Sequence, residues 1–268
     1  MYPIILRYLK LGDAAVYIPQ ERSSAVLPNV TGETVVVLDY CFSREVTEAM
    51  IVDTGGRFIV LDHHNSALHD LMGIPDENKV FVMGQSGATL SWNFFFPGQE
   101  IPLWLRYVED KDIWRWALRD SHAFTAGFSL LPQTFEVYAK LHNGGHAAVD
   151  DIIERGAFIL EYQNGVVASH VKQAKQVKLR VAATLTAAVV NSSTLGSEMG
   201  NAMCTQIGVD IGIVWSYDHR SKQFRVSLRS IDGDKADVSI IAKKFGGGGH
   251  KCAAAFAWKG SSIEELFL

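Results

Sequence analysis

The stretch FIVLDHHNSAL, residues 58–68, runs four apolar residues straight into Asp62, His63 and His64. A carboxylate and two imidazoles are costly to bury without partners. A buried strand ending in them either stops at solvent or delivers them to something they bind. A second strand of this kind precedes it: TVVVLD, residues 34–39, is a continuous apolar run ending in Asp39, as in a strand covered on both faces. Between the two, Ser43 can cap a helix through about Val52, and Gly55-Gly56 stops it. KVFVM, residues 79–83, reads as a third buried strand. Strand, helix, strand at this spacing predicts parallel βαβ units, so the fold class is α/β.

In an open parallel sheet, ligands gather outside the carboxyl ends of the strands. Asp39 and Asp62 stand 23 positions apart, about one βαβ period. Asp39, Asp62, His63 and His64 are therefore expected to converge in one crevice. Carboxylates and imidazoles together suit Mn²⁺ or a related divalent ion. The alternative, that each Asp caps the next helix, explains one Asp alone better than Asp39 combined with Asp-His-His.

Working outward, residues 3–11 read as a helix with Pro3 in its first turn and Gly12 past its end. AAVYI, residues 14–18, reads as a short strand. Residues 86–174 look mostly helical, and the last part, 147–175, is long enough to connect two lobes. Beyond it the pattern changes. QVKLRVAA, TAAVVN, VDIGIVWSY, QFRVSLRS and AAAFAW read as strands, with helices near 196–207 and 236–244. The expected organisation is a parallel-sheet lobe over 1–146, a helical connector over 147–175 and a smaller α+β lobe over 176–268.

Bulk properties narrow the function. The 268 residues are 48% hydrophobic and 20% charged, ordinary for a soluble globular protein. A net charge of −4 gives no basic footprint for long duplex nucleic acid. Cys41, Cys204 and Cys252 are scattered and form no disulfide framework, which points to the cytoplasm or another reducing compartment. No apolar run is long enough to span a membrane.

Other segments carry weaker signals. YVEDKDIWRW, residues 107–116, places Asp110 and Asp112 at the end of a predicted helix among aromatic residues; alone, it reads as a solvated helix end. KKFGGGGHKCAAAF, residues 243–256, sets four glycines between a helix and a strand. It is either a flexible connector or a loop whose N–H groups turn toward an anion, with His250 and neighbouring lysines adding charge. Upstream, Arg225 and Arg229 alternate along one strand, where guanidinium groups suit phosphate. His142 and His146 in LHNGGH, without flanking acids, read as surface histidines in a loop. The aromatics of LSWNFFFPG and DIWRWAL read first as core, and Cys41 as a small core thiol.

Strand-Asp39, LDHH (61–64), EDKDIW (109–114) and GGGGH (246–250), in this order, resemble the DHH phosphoesterases with a C-terminal DHHA1 domain. EDKDIW and GQSGATLSW look most like the nanoRNase, or oligoribonuclease, branch. The resemblance covers about residues 1–260. It implies two Mn²⁺ ions in the first lobe. Asp39 would bridge both, His63 and Asp110 would bind the second, Asp62 would orient the imidazoles, and His64 would contact the scissile phosphate. In the second lobe Arg229, Ser230, Gly247, Gly248 and His250 would hold the far end of the substrate, with the cleft between lobes. The implied activity is Mn²⁺-dependent hydrolysis of short oligonucleotides or linear dinucleotides to mononucleotides. A homodimer is compatible with this reading.

The family's earlier motif, a strand ending in His or Asn and an acidic pair, has no counterpart here; Asp13, the first acid, follows the first predicted helix. The expectation is an N-terminally incomplete form. Asp39, His63 and Asp110 would then hold a single, weakened metal site. Two alternatives follow: a pyrophosphatase or polyphosphatase, and a catalytically inactive nucleotide-binding homologue.

Overall fold

Of three parallel strands, the first leads into Asp39 and the second ends on Asp62. In the computed structural model of the protein, residues 12–19 and 27–268 are described; the helix expected over 3–11 lies outside them. The chain divides into two compact units, Met1–Leu160 and Glu161–Leu268.

The first unit holds β1 (Val35–Leu38), β2 (Phe58–Asp62) and β3 (Lys79–Phe81), all parallel in the order β1-β2-β3. Between β1 and β2 runs α1 (Arg44–Asp53), capped by Ser43 Oγ accepting the Val46 N–H and closed by Thr54, whose hydroxyl donates to Met50 O at 2.8 Å. The short α2 (Leu68–Leu71) follows β2. β2 is the buried strand, and Phe58 and Val60 pack with Met50, Leu71 and Ile74. β1 is only half-buried, contrary to its continuous apolar reading. Among the described residues it pairs with β2 alone. A cavity of about 1110 Å³ lies beside it, lined by Val35–Asp39, Tyr17 and Phe135 among others.

AAVYI forms no strand. Residues 12–14 make a 3₁₀ turn and the chain then runs irregularly. Val16 and Ile18 are exposed, while Tyr17 sets its ring 5.0 Å from that of Phe135 and donates its hydroxyl to Gly12 O at 2.9 Å. The Tyr17–Phe135 contact is among those that pack this segment.

The remaining helices of this unit are α3 (Gly87–Phe95), α4 (Leu103–Asp112), α5 (Ser121–Phe128) and the start of α6 (Phe135–Lys172). Their core is aromatic: Trp92, Trp104, Phe124, Phe128 and Tyr138 are buried together. α5 and α6 meet at glycines; a Cβ on Gly156 would lie 1.8 Å from Ala123 O. His142 and His146 stand within α6, not in a loop, because Gly145 absorbs a break in the helix with φ 56° and ψ −136°.

The second unit is a six-stranded sheet in the order β4-β5-β6-β7-β9-β8. Its strands are β4 (Lys175–Val177), β5 (Ala187–Asn191), β6 (Ile211–Asp218), β7 (Gln223–Arg229), β8 (Gly248–His250) and β9 (Ala253–Trp258). β5 and β6 are parallel, and the other neighbours are antiparallel. The strand expected over 176–183 is shorter, since Arg180–Ala182 turn into a 3₁₀ segment. α7 (Gly196–Ala202) runs on as a π turn over Met203–Ile207 and packs on β6, where a Cβ on Gly212 would sit 2.1 Å from Gly200 O. α8 (Val238–Lys243) covers the opposite core of Ile211, Ile213, Val226 and Phe256. Among the described residues no helix is long and apolar enough to cross a membrane.

Candidate active site

The carboxyl ends of β1 and β2 deliver the predicted cluster. The chain leaves β1 through Asp39, whose φ of 58° is left-handed, a conformation that Asp tolerates better than most residues. Its N–H still bonds to Leu61 O at 2.9 Å, so the turn is tied to β2. Asp62 ends β2 with 1% exposure. Its Oδ1 accepts the N–H of His63 at 2.8 Å, and Nδ1 of His64 lies 2.7 Å away. His63 is buried, with Nε2 3.2 Å from Asp39 Oδ1 and 3.5 Å from Asp112 Oδ2. The two imidazole rings lie 4.4 Å apart, centre to centre. Asp39, Asp62, His63 and His64 each offer one ligand atom, all within 4.8 Å of one another.

Asp110 does not join them. Its buried carboxylate accepts the N–H groups of Ala117 at 2.9 Å and Leu118 at 3.1 Å, and so ties down the loop after α4. Asp112 takes the place beside His63. Helical phase explains the exchange: at 100° per residue, Asp112 falls on the opposite side of α4 from Asp110, and one turn from Glu109. That periodicity was the signal available within EDKDIW.

The cluster is electrostatically loaded. Burial opposes the His63 imidazolium, yet contact with Asp39 and the charges of Asp112, Asp39 and Asp62 hold its pKa above the ordinary value. Burial and the Asp39 charge push the Asp112 carboxyl up. Burial would also raise Asp62, but the His64 hydrogen bond and charge, with the two backbone N–H groups, leave it below the usual range. Carboxylates crowded around an imidazole are the environment a divalent cation relieves. The donor set of carboxylate oxygen and imidazole nitrogen fits Mn²⁺ or a similar ion.

The second unit's predicted residues are placed as follows. Arg229, at the end of β7, is half-buried and donates to Ser197 Oγ and to Leu228 O. Burial lowers its pKa, with Glu198 opposing. Ser230 is buried and donates to Ala236 O at 2.8 Å. Arg225 lies on the same face of β7 but pairs with Asp218. In the glycine run, Gly246 and Gly247 close α8 by donating to Lys243 O and Ala242 O. Gly247 and Gly249 press against β9, where a Cβ would meet Ala255 O at 2.1 Å or Ala253 O at 2.4 Å. Gly248 faces open space, and His250 ends β8 half-buried. Three of the four glycines thus have packing or capping roles.

No family model matches the chain. An uncharacterised protein of Acanthamoeba polyphaga mimivirus is 31% identical over 261 residues, 94% of this chain and 61% of that protein. Oligoribonuclease NrnB of Bacillus subtilis is 24% identical over 257 residues, 88% of this chain and 62% of that enzyme. The chain therefore spans about three fifths of the length of these curated relatives. Among solved structures, the DHH domain of a member of the S1p family of ribosomal proteins superposes with a TM-score of 0.53 at 15% identity, over 87% of this chain and 67% of that one.

The chain is thus similar in fold to that DHH domain.

Proposed function

We propose that this protein hydrolyses phosphodiester bonds in short oligonucleotides or linear dinucleotides, with a divalent metal, Mn²⁺ by preference, held by Asp39, His63 and Asp112. The observation that carries the reading is the convergence of Asp39, Asp62, His63 and His64 within 4.8 Å at the strand ends. The relative named as an oligoribonuclease supports the substrate class.

A bound divalent ion supplies an activated water and a counter-charge for the phosphoryl oxygens. The chain's own residues do the rest. Asp39 and Asp112 flank His63 and fix the imidazole nitrogen that they share. Asp62 pins His64 through Nδ1, which leaves Nε2 as the ring atom that would donate to a phosphoryl oxygen when the ring carries its second proton. In the second unit, read as a DHHA1 domain, Arg229, Ser230, Gly247, Gly248 and His250 would grip the substrate. The Arg229 guanidinium and the open face of Gly248 suit a phosphate best.

The test is release of mononucleotides from a 5′-phosphorylated RNA dinucleotide with saturating Mn²⁺. Release that disappears in Asp39→Ala supports the reading. Hydrolysis of pyrophosphate with no nucleotide release would favour a pyrophosphatase. Dinucleotide binding without turnover would favour the inactive homologue.

A further inference from the structure

Gly87 is the first residue of α3, and it stands directly against Asp39. A Cβ built on Gly87 would lie 2.2 Å from Asp39 Oδ1, 2.5 Å from its Cγ and 2.6 Å from its Cβ. Rotating the carboxylate cannot relieve a clash that reaches back to Cβ, so one of the two backbones would have to move. Gly87 begins the helix and is not in the positive-φ region. The approach to Asp39, not a turn, is what requires glycine there.

The same turn is fastened on its other side. Ser86 Oγ accepts the Thr89 N–H at 3.1 Å, and Glu109 Oε2 accepts the Ser86 N–H at 3.1 Å. The Thr89 hydroxyl also donates to Glu109. Glu109 lies one turn before Asp112 on α4. A continuous set of contacts therefore runs from the end of β1, through the start of α3, to the end of α4.

We propose that Gly87 is a positioning residue of the metal centre: it lets α3 close on Asp39, and through Ser86, Thr89 and Glu109 it sets Asp39 in register with Asp112. This rests on reading the cluster as a metal site.

The experiment measures Mn²⁺ affinity, by the electron paramagnetic resonance signal of free Mn²⁺, and unfolding temperature for the full chain. The variants are Gly87→Ala, Gly84→Ala, Asp39→Gly and the Asp39→Gly/Gly87→Ala pair. Gly84 is the control, since a Cβ there meets nothing within 4 Å. Gly87→Ala is expected to weaken Mn²⁺ binding about tenfold or more, in the range seen when ligand-orienting residues are lost, while Gly84→Ala binds like wild type. Its loss of unfolding temperature should largely vanish in the Asp39→Gly background, where the opposing side chain is gone. Wild-type affinity in Gly87→Ala, or an equal thermal loss in both backgrounds, overturns the proposal. Should Gly87→Ala not fold, Glu109→Gln decides: weakened Mn²⁺ binding supports the linkage and unchanged binding overturns it. A wild-type protein that takes up no Mn²⁺ overturns the metal reading, and this proposal with it, by a result distinct from any Gly87 outcome.

Discussion

His64 is held to Asp62 by two of its atoms: Nδ1 lies 2.7 Å from Asp62 Oδ1, and the backbone N–H donates to the same oxygen at 3.3 Å. The His63 N–H donates there as well, at 2.8 Å. A single buried oxygen thus sets the tautomer and orientation of one imidazole and the backbone turn that aims the other. Asp62→Asn keeps the shape but loses the charge, and its amide can place a donor where an acceptor is needed. Activity should fall by roughly 10–100-fold, as for other partners that orient ligands, with little change in far-ultraviolet circular dichroism. Steady-state kinetics check this; near wild-type turnover would show that His64 needs no such support.

Asp110 and Asp112 are separated by two positions and by opposite duties. Asp112→Asn should abolish Mn²⁺ uptake or weaken it strongly, with little effect on stability, because its carboxylate faces His63. Asp110→Ala should instead cost about 1–3 kcal/mol, the penalty for leaving buried donors unpaired. It strips the acceptor from the Ala117 and Leu118 N–H groups. Denaturant melts and metal titrations on both variants separate the roles. If Asp110→Ala lost metal without losing stability, the assignment would reverse.

The strand ends were legible in the sequence because each apolar run stops on its acid, and strand periodicity carries that acid to a known edge of the sheet. On those grounds Asp39, Asp62, His63 and His64 belong together, and their ligand atoms do lie within 4.8 Å of one another. What escaped the sequence lies on helices. Choosing between Asp110 and Asp112 requires the phase of α4, which depends on how Trp104, Leu105 and Val108 pack. Gly87 is significant only because a residue 48 positions earlier stands against it. The glycine run likewise reads as one loop in sequence. In the fold its members divide between a helix end and an edge strand, since the backbone of β9 approaches two of them too closely for a side chain.

Cys41, two residues past Asp39, should be chemically quiet. Burial, with the Asp62 and Asp70 charges, pushes its thiol up to about 12. The thiolate is the reactive form, so alkylation by iodoacetamide at neutral pH should be slow in the folded protein and fast after denaturation. Peptide mapping by mass spectrometry reads this out; rapid labelling of the native protein would show that the site is more open than its packing implies.

Asp218 offers a pH test in the second unit. The N–H groups of Arg220 and Ser221, then the Arg225 side chain, draw its carboxyl down from 3.8 to about 2. A carboxyl lowered by folding adds stability that is fully present above its unfolded value and fades as pH falls toward its folded value. The hairpin joining β6 to β7 should therefore lose support between pH 3.8 and about 2. In Asp218→Asn that contribution is missing at every pH. Urea midpoints of wild type and variant should differ at pH 5 and converge as pH drops through the window. The site is near the surface, so added salt should shrink the part due to Arg225, while the part due to the two backbone donors persists. A difference that stays constant from pH 5 to the acid limit would mean that the charge of Asp218 does not stabilise the hairpin.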